Sequence, residues 1–246
     1  MKAVLKTALK TVVLMTALSQ ADTVTAIPEY REPVVLLHGL ARSASSMQKM
    51  EAALQLAGYR TCNIAYPSRQ HDVATLAKDH IAPALQRCFP DYEGPLHFVT
   101  HSMGGILVRQ LALDSQYEKR IGRVVMMGTP NHGSEVIDHL GTWPLFKRIA
   151  GPAGPQLSTA PDSLPQTLGP INFEVGIIAG NFSFNPFLSL LLPGADDGKV
   201  SVTSTQLEGM QDFIVLRSSH VFIMRNRQAI ESTVRFLESG SFNPLS

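Results

Sequence analysis

The chain has 246 residues, 44% of them hydrophobic and 17% charged, with 21 basic against 20 acidic side chains. That length suits one domain with a sizeable core, and the composition is too apolar for a disordered chain. The apolar runs are too short for a multi-span membrane protein, and a net charge of +1 offers no global field for a nucleic acid, whose binding modules leave no motif here.

Met1 to Ala26 reads as a secretory leader, with Lys2, Lys6 and Lys10 ahead of a short apolar stretch from Thr11 to Leu18 and small residues after it. The expectation is export to the periplasm or the medium if the leader is cleaved, and a cytoplasmic protein otherwise. Cleavage after Ala21 would remove three lysines and no acid, turning the net charge to about −2. The folded domain is then expected over 27–246. Two cysteines, Cys62 and Cys88, fit either one disulfide in an exported chain or two separate buried thiols, and their spacing gives no metal site.

Pro33 to Leu37 is an aliphatic run without alternation, the pattern of a strand covered on both faces. Met47, Met50, Leu54 and Ala57 recur at helical spacing, and Gly58 is placed to end that helix. Thr61 to Ala65 reads as a second strand. Asp72 is placed to cap a helix that Pro83 should kink or break. A third strand follows over Leu96 to Thr100, then a helix over Gly105 to Leu113 and a fourth strand over Arg123 to Met127. Between Asn131 and Pro170 no long periodic element is visible, so this stretch reads as a lid-like insertion or binding loop. Strands resume at Glu174 to Ala179 and Phe213 to Leu216, and a last helix is expected from Val221 to Leu237. Strands alternating with helices predict an α/β fold with a mainly parallel sheet flanked by helices.

The most informative string is Thr100-His-Ser-Met-Gly-Gly105, between a predicted strand and a predicted helix. A serine on such a sharp turn is pushed above the sheet with its hydroxyl exposed. His38-Gly39-Leu40 closes the first strand, Asp196-Asp197-Gly198 lies in a tight turn late in the chain, and Ser219-His220 follows the last predicted strand. The order is Ser102, Asp197, His220, with Asp196 as rival for the acid.

These motifs, with Gly128-Thr-Pro-Asn-His-Gly-Ser134 and Asp197-Gly-Lys-Val200, resemble those of the α/β-hydrolase superfamily and, within it, the bacterial lipase and esterase branch. The resemblance runs from Val34 to about Leu237 and departs from the usual first elbow glycine at Thr100. It implies a serine acyl-enzyme mechanism with Ser102 as nucleophile, His220 as base and Asp197 as the orienting acid. The lipase pattern places the acid immediately before the glycine, which leaves Asp196 as a solvated turn residue. The N–H groups of Leu40 and Met103 would form the oxyanion hole. An ester substrate, small or lipid, is implied, with no cofactor and no metal. Acyl transfer and thioester or amide hydrolysis would use the same residues, and a non-catalytic binding protein on this scaffold is the reading from another class. Oligomeric state is not legible.

His101 and His38 are expected to pack rather than to act as bases, and His132 to bond a loop. The apolar stretch Phe182 to Leu192 precedes the acid turn. It reads either as an acyl-chain wall or interfacial flap, with Phe182, Phe184, Phe187 and Leu188 as substrate-binding candidates, or as a core-packed loop with a short helix after Pro186. Trp143 and Phe146 are candidates for the same apolar rim, which would let the enzyme contact a lipid surface peripherally.

Overall fold

A computed structural model describes residues 31–243. The expected leader over 1–26 lies outside the described residues.

Six strands form one all-parallel sheet: β1 (Arg31–Leu37), β2 (Tyr59–Ile64), β3 (Leu96–His101), β4 (Ile121–Met127), β5 (Val175–Gly180) and β6 (Asp212–Leu216). Their spatial order is β2-β1-β3-β4-β5-β6. The chain therefore steps one way from β1 to β2 and then returns past β1 to lay β3 to β6 on the other side. Such a reversal opens a crevice at the carboxyl ends of β1 and β3, where open parallel sheets bind ligands.

The uninterrupted apolar runs of the central strands follow from burial on both faces. Val34 and Leu36 of β1 join Val99, Val125 and Met127 in a core with Met50 and Leu54 of the helix Gln48–Leu56 and with Phe236 of the helix Arg227–Ser239. Val35 and Leu37 face the other way, packing with Phe98, Val124 and Met126 beneath the helix Met103–Leu111. Glycine makes that last contact close. A Cβ on Gly104 would stand 2.6 Å from the Leu37 carbonyl oxygen, and one on Gly105 2.3 Å from Thr129 Oγ1.

Several elements differ from the sequence expectation in instructive ways. Asp72 does cap its helix, Oδ1 accepting from the Thr75 N–H at 2.8 Å. The disturbance from Pro83 is a widening instead of a break: a π-helical segment, Leu76–Ile81, runs directly into Ala82–Cys88, so the helical run continues through the proline, whose missing N–H and ring fall just after the widened turn. The last helix starts at Arg227, later than expected, because Asn226 caps it by accepting from the N–H groups of Gln228 and Ala229. The stretch expected to lack long elements holds four short ones, Glu135–Leu140, Pro144–Ala150, Pro155–Leu157 and Leu164–Thr167. Cys62 on β2 and Cys88 at the end of its helix form a disulfide, so the reading as separate thiols is overturned.

Candidate active site

Ser102 joins β3 to the helix Met103–Leu111 at φ 53°, ψ −125°, a backbone conformation that costs an L-residue steric strain. The strain is held by the surroundings, since the Ser102 N–H donates to the Met127 carbonyl at 2.9 Å and the preceding strand is paired on both sides. Thr100, at the position of the usual glycine, is fully buried and donates its hydroxyl to the Val125 carbonyl at 3.2 Å. The elbow thus tolerates a side chain there by bonding it to the neighbouring strand.

Two other strand ends bring the partners. His220 follows β6, with its Nε2 3.0 Å from Ser102 Oγ and its Nδ1 2.7 Å from Asp197 Oδ2. A carboxylate at Nδ1 fixes that nitrogen as N–H, so Nε2 is free to accept the serine proton. Asp197 Oδ1 accepts the N–H groups of Lys199 and Val200 at 3.0 and 2.9 Å, and the Asp197 carbonyl accepts the His220 N–H at 2.9 Å. All three side chains are buried. Glycine again makes room: a Cβ on Gly128, after β4, would come within 3.0 Å of Asp197 Oδ2 and 3.2 Å of His220 Nδ1.

Asp196 does not meet His220. Its Oδ1 accepts the Gly198 N–H at 2.7 Å and the Ser189 hydroxyl at 2.9 Å, and it is buried, not the solvated turn residue its sequence suggested. Leu40 lines the same cavity as Ser102, and the backbone of its loop lies hard against the nucleophile, where a Cβ on Gly39 would stand 3.0 Å from Ser102 Cβ. Met103 opens the helix, so its N–H is one of the donors that a helix start leaves without an intrahelical acceptor. Beneath the loop, the His38 ring stacks on Tyr66, whose hydroxyl donates to the His38 carbonyl. Burial pushes the His38 pKa below its ordinary value, consistent with a neutral packing residue.

His101 is a packing residue with a specific partner. Its Nε2–H donates to the His220 carbonyl at 2.8 Å, its ring lies 4.8 Å from the His220 ring, and burial followed by the nearby His220 holds its pKa well below the usual histidine value. His132 is exposed, its N–H bonded to the Ser204 carbonyl, and it does not line the cavity.

The serine and histidine open on a cavity of about 120 Å³. Most of its apolar wall, Val136, Ile137, Phe146, Ile149, Ala150 and Leu157, comes from the stretch 131–170, and Leu40, Ala41, Pro130 and Val200 complete it. Phe146 was legible as a rim residue, whereas the other five from that stretch sit in helical pieces of three to seven residues, too short to show a period. Phe182, Phe184, Phe187 and Leu188 are not among the lining residues. They are not core-packed either. A short helix does begin at Pro186, but Phe184, Phe187 and Leu190 are 68%, 78% and 82% exposed, and Phe184 packs edge-on against Phe182 and Phe222. A larger open groove, about 880 Å³, lies at the opposite, amino-terminal ends of the strands, where Arg123 pairs with Glu174 and the His97 ring hydrogen-bonds Glu32.

A model described as the alpha/beta hydrolase family matches residues 34–220, a span that holds Ser102, Asp197 and His220. The chain belongs to that family. No curated protein matches this hydrolase in sequence. Among solved structures it is similar to the mature lipase BlEst2 of Bacillus licheniformis, with 19% identity and a TM-score of 0.68 over 87% of this chain and 93% of the other. It is also similar to phospholipase PlaB of Legionella pneumophila, at 17% identity and a TM-score of 0.64 over 86% and 61% of the two chains. A third is the metagenomic carboxyl esterase MGS0156, at 17% identity and a TM-score of 0.61 over 79% and 66%. At these identities the likeness is one of fold.

Proposed function

We propose that the hydrolase cleaves carboxylic esters of acyl lipids, in the lipase and esterase branch of its family, through an acyl-enzyme on Ser102. The observation that carries this reading is the unbroken hydrogen-bonded series Asp197, His220, Ser102 at the mouth of an apolar cavity. His220 takes the Ser102 proton as the hydroxyl attacks the carbonyl, and then gives it to the leaving alcohol. Asp197 holds the tautomer and stabilises the imidazolium. The N–H groups of Leu40 and Met103 receive the oxyanion, and each such donor contributes about 2.7–4 kcal/mol to lowering the barrier. Water then repeats the sequence on the acyl-enzyme.

The wall from Val136 to Leu157 fits the acyl chain, and the stretch that supplies it is the lid in this reading. The exposed Phe184, Phe187 and Leu190 supply a surface that would dock on lipid without spanning it. Export is supported by the bond between Cys62 and Cys88, since disulfides persist in oxidising compartments. Fractionating cells for a shortened chain tests that point.

The function is tested with a panel of soluble and emulsified acyl esters, comparing the wild type with Ser102→Ala and labelling both with a fluorophosphonate. Turnover and labelling lost together in Ser102→Ala support the proposal. Equal turnover by the two proteins sinks it, and preference for emulsified long chains over short soluble ones separates lipase from esterase.

A further inference from the structure

Two cations converge on the catalytic cavity without a counter-ion. Arg42 and Lys199 both line it together with Ser102 and His220. Their backbones are fixed by the site itself: the Arg42 N–H donates to the Gly39 carbonyl at 3.2 Å, closing the turn that carries Leu40. The Lys199 N–H donates to Asp197 Oδ1, and its carbonyl accepts the Ser134 hydroxyl at 2.7 Å. Among the described residues, neither side chain has a carboxylate within the 4.0 Å of an ion pair. The nearby carboxylate, Asp197, is already committed to His220 and two N–H groups.

This is a local feature, since the whole chain carries 21 basic and 20 acidic side chains. Lys199 is exposed and Arg42 half-buried where they line the cavity, and partial desolvation followed by the field of Arg42 lowers the Lys199 pKa. The same two cations act together on His101 beneath the nucleophile. Like charges held in one recess repel each other, and an anion placed between them relieves that repulsion with charge-assisted hydrogen bonds.

We propose that Arg42 and Lys199 bind an anionic group, phosphate or carboxylate, on the alcohol portion of the ester. In this assignment the apolar wall from Val136 to Leu157 takes the acyl chain and the alcohol lies beside the cations, a placement that a suberate ester tests directly. This assignment rests on the ester-hydrolase reading above and names its substrate class.

The test compares kcat/KM for 1-octanoylglycerol, 1-octanoylglycerol 3-phosphate, 3-octanoylglycerate and glycerol monosuberate, each as a monomer in solution. The last places the charge at the far end of the acyl chain. The wild type is expected to favour the phosphate or glycerate ester over the neutral one by about tenfold or more, and Arg42→Gln and Lys199→Gln each to shrink that ratio by about five- to tenfold. Added salt should shrink it too. The larger of the two ratios tells phosphate from carboxylate. An unchanged ratio in both variants overturns the proposal, as does preference for the suberate ester. Fluorophosphonate labelling of the variants reports an assembled nucleophile, so an unfolded variant is recognised. Ser102→Ala separates the two readings: if it turns over all four esters like the wild type, the hydrolase reading fails, and if it is inert while the charge ratio ignores Arg42 and Lys199, only the anion site fails.

Discussion

Asp197 meets His220 through Oδ2 alone, at 2.7 Å, while its Oδ1 is occupied by the N–H groups of Lys199 and Val200. Both oxygens therefore have assigned work, and the carboxylate cannot rotate without breaking backbone bonds. The imidazole inherits that orientation, and its own backbone N–H is tied to the Asp197 carbonyl. Side-chain and backbone bonds thus tie the loop of His220 to the turn of Asp197.

Asp197→Asn is expected to keep the turn, because an amide oxygen can still accept from Lys199 and Val200. The amide nitrogen then faces His220 Nδ1 and imposes the wrong tautomer, lowering kcat by about 10⁴-fold. Asp196→Asn retains an acceptor for Gly198 and Ser189, and its activity should stay within about threefold of wild type. Steady-state hydrolysis of a soluble ester by the two variants checks the pair; the assignment fails if their order is reversed.

Ser102 stores backbone strain at φ 53° that glycine would not suffer. At an ordinary helix start alanine is worth up to about 1 kcal/mol more than glycine. Here the order should invert, with Ser102→Gly more stable than Ser102→Ala by about 1 kcal/mol. Both variants lack the nucleophile, so urea unfolding reads stability without activity as a confounder. Greater stability of the alanine variant would show that the turn is not strained.

The strands were legible because burial on both faces writes itself as unbroken aliphatic runs, as at Val34 to Leu37 and Val124 to Met127. Ser102 was legible because its turn needs glycine at a fixed offset, Gly104 beside Leu37, whereas Asp197 and His220 were legible from the order of the motifs and from the resemblance, which places the acid immediately before Gly198. The cavity wall was not, since Val136, Ile137 and Ile149 lie in pieces too short for a helical period. Hydropathy singled out Phe182 to Leu192 instead. An apolar run gives no sign of the direction in which it faces, and Phe187 and Leu190 face solvent. The cations Arg42 and Lys199 are far apart in sequence and meet only through the fold.

Stability should fall as pH falls below about 6.5, the ordinary histidine value. His97 accepts the Arg123 N–H at Nδ1, 2.8 Å away, which requires an unprotonated nitrogen, so Nε2–H donates to Glu32 at 2.9 Å. Burial and the charge of Arg123 lower its pKa to about 4. Between these two values the unfolded chain binds a proton that the native state refuses, so the contribution is complete above about 6.5 and is lost towards pH 4. His97→Asn preserves an acceptor for Arg123 but no longer titrates. Its stability should fall less steeply than that of wild type, by up to about 1.4 kcal/mol per pH unit, in urea unfolding at about pH 7 and about pH 4.5. Parallel slopes would refute the assignment.

Arg109 on the helix behind the nucleophile fastens both ends of the stretch that walls the cavity. Its guanidinium is buried and donates to the carbonyls of Asn131 at 3.1 Å, Pro165 at 3.1 Å and Gly169 at 3.2 Å. Burial lowers its pKa to about 10, so it stays charged at neutral pH and balances that charge on carbonyl dipoles. Asn131 continues the fastening by donating to the Thr205 carbonyl at 2.8 Å. Arg109→Met fills similar volume but leaves three carbonyls without their donor, at about 1–3 kcal/mol for each group that water cannot reach. Part of that loss is offset because no charge is then buried, so a net loss of about 2–4 kcal/mol is expected. The loss should be local first. Limited proteolysis should cut the Arg109→Met chain between residues 131 and 170 well before the sheet is attacked, whereas an unchanged cleavage pattern would mean that the wall is held by its packing alone.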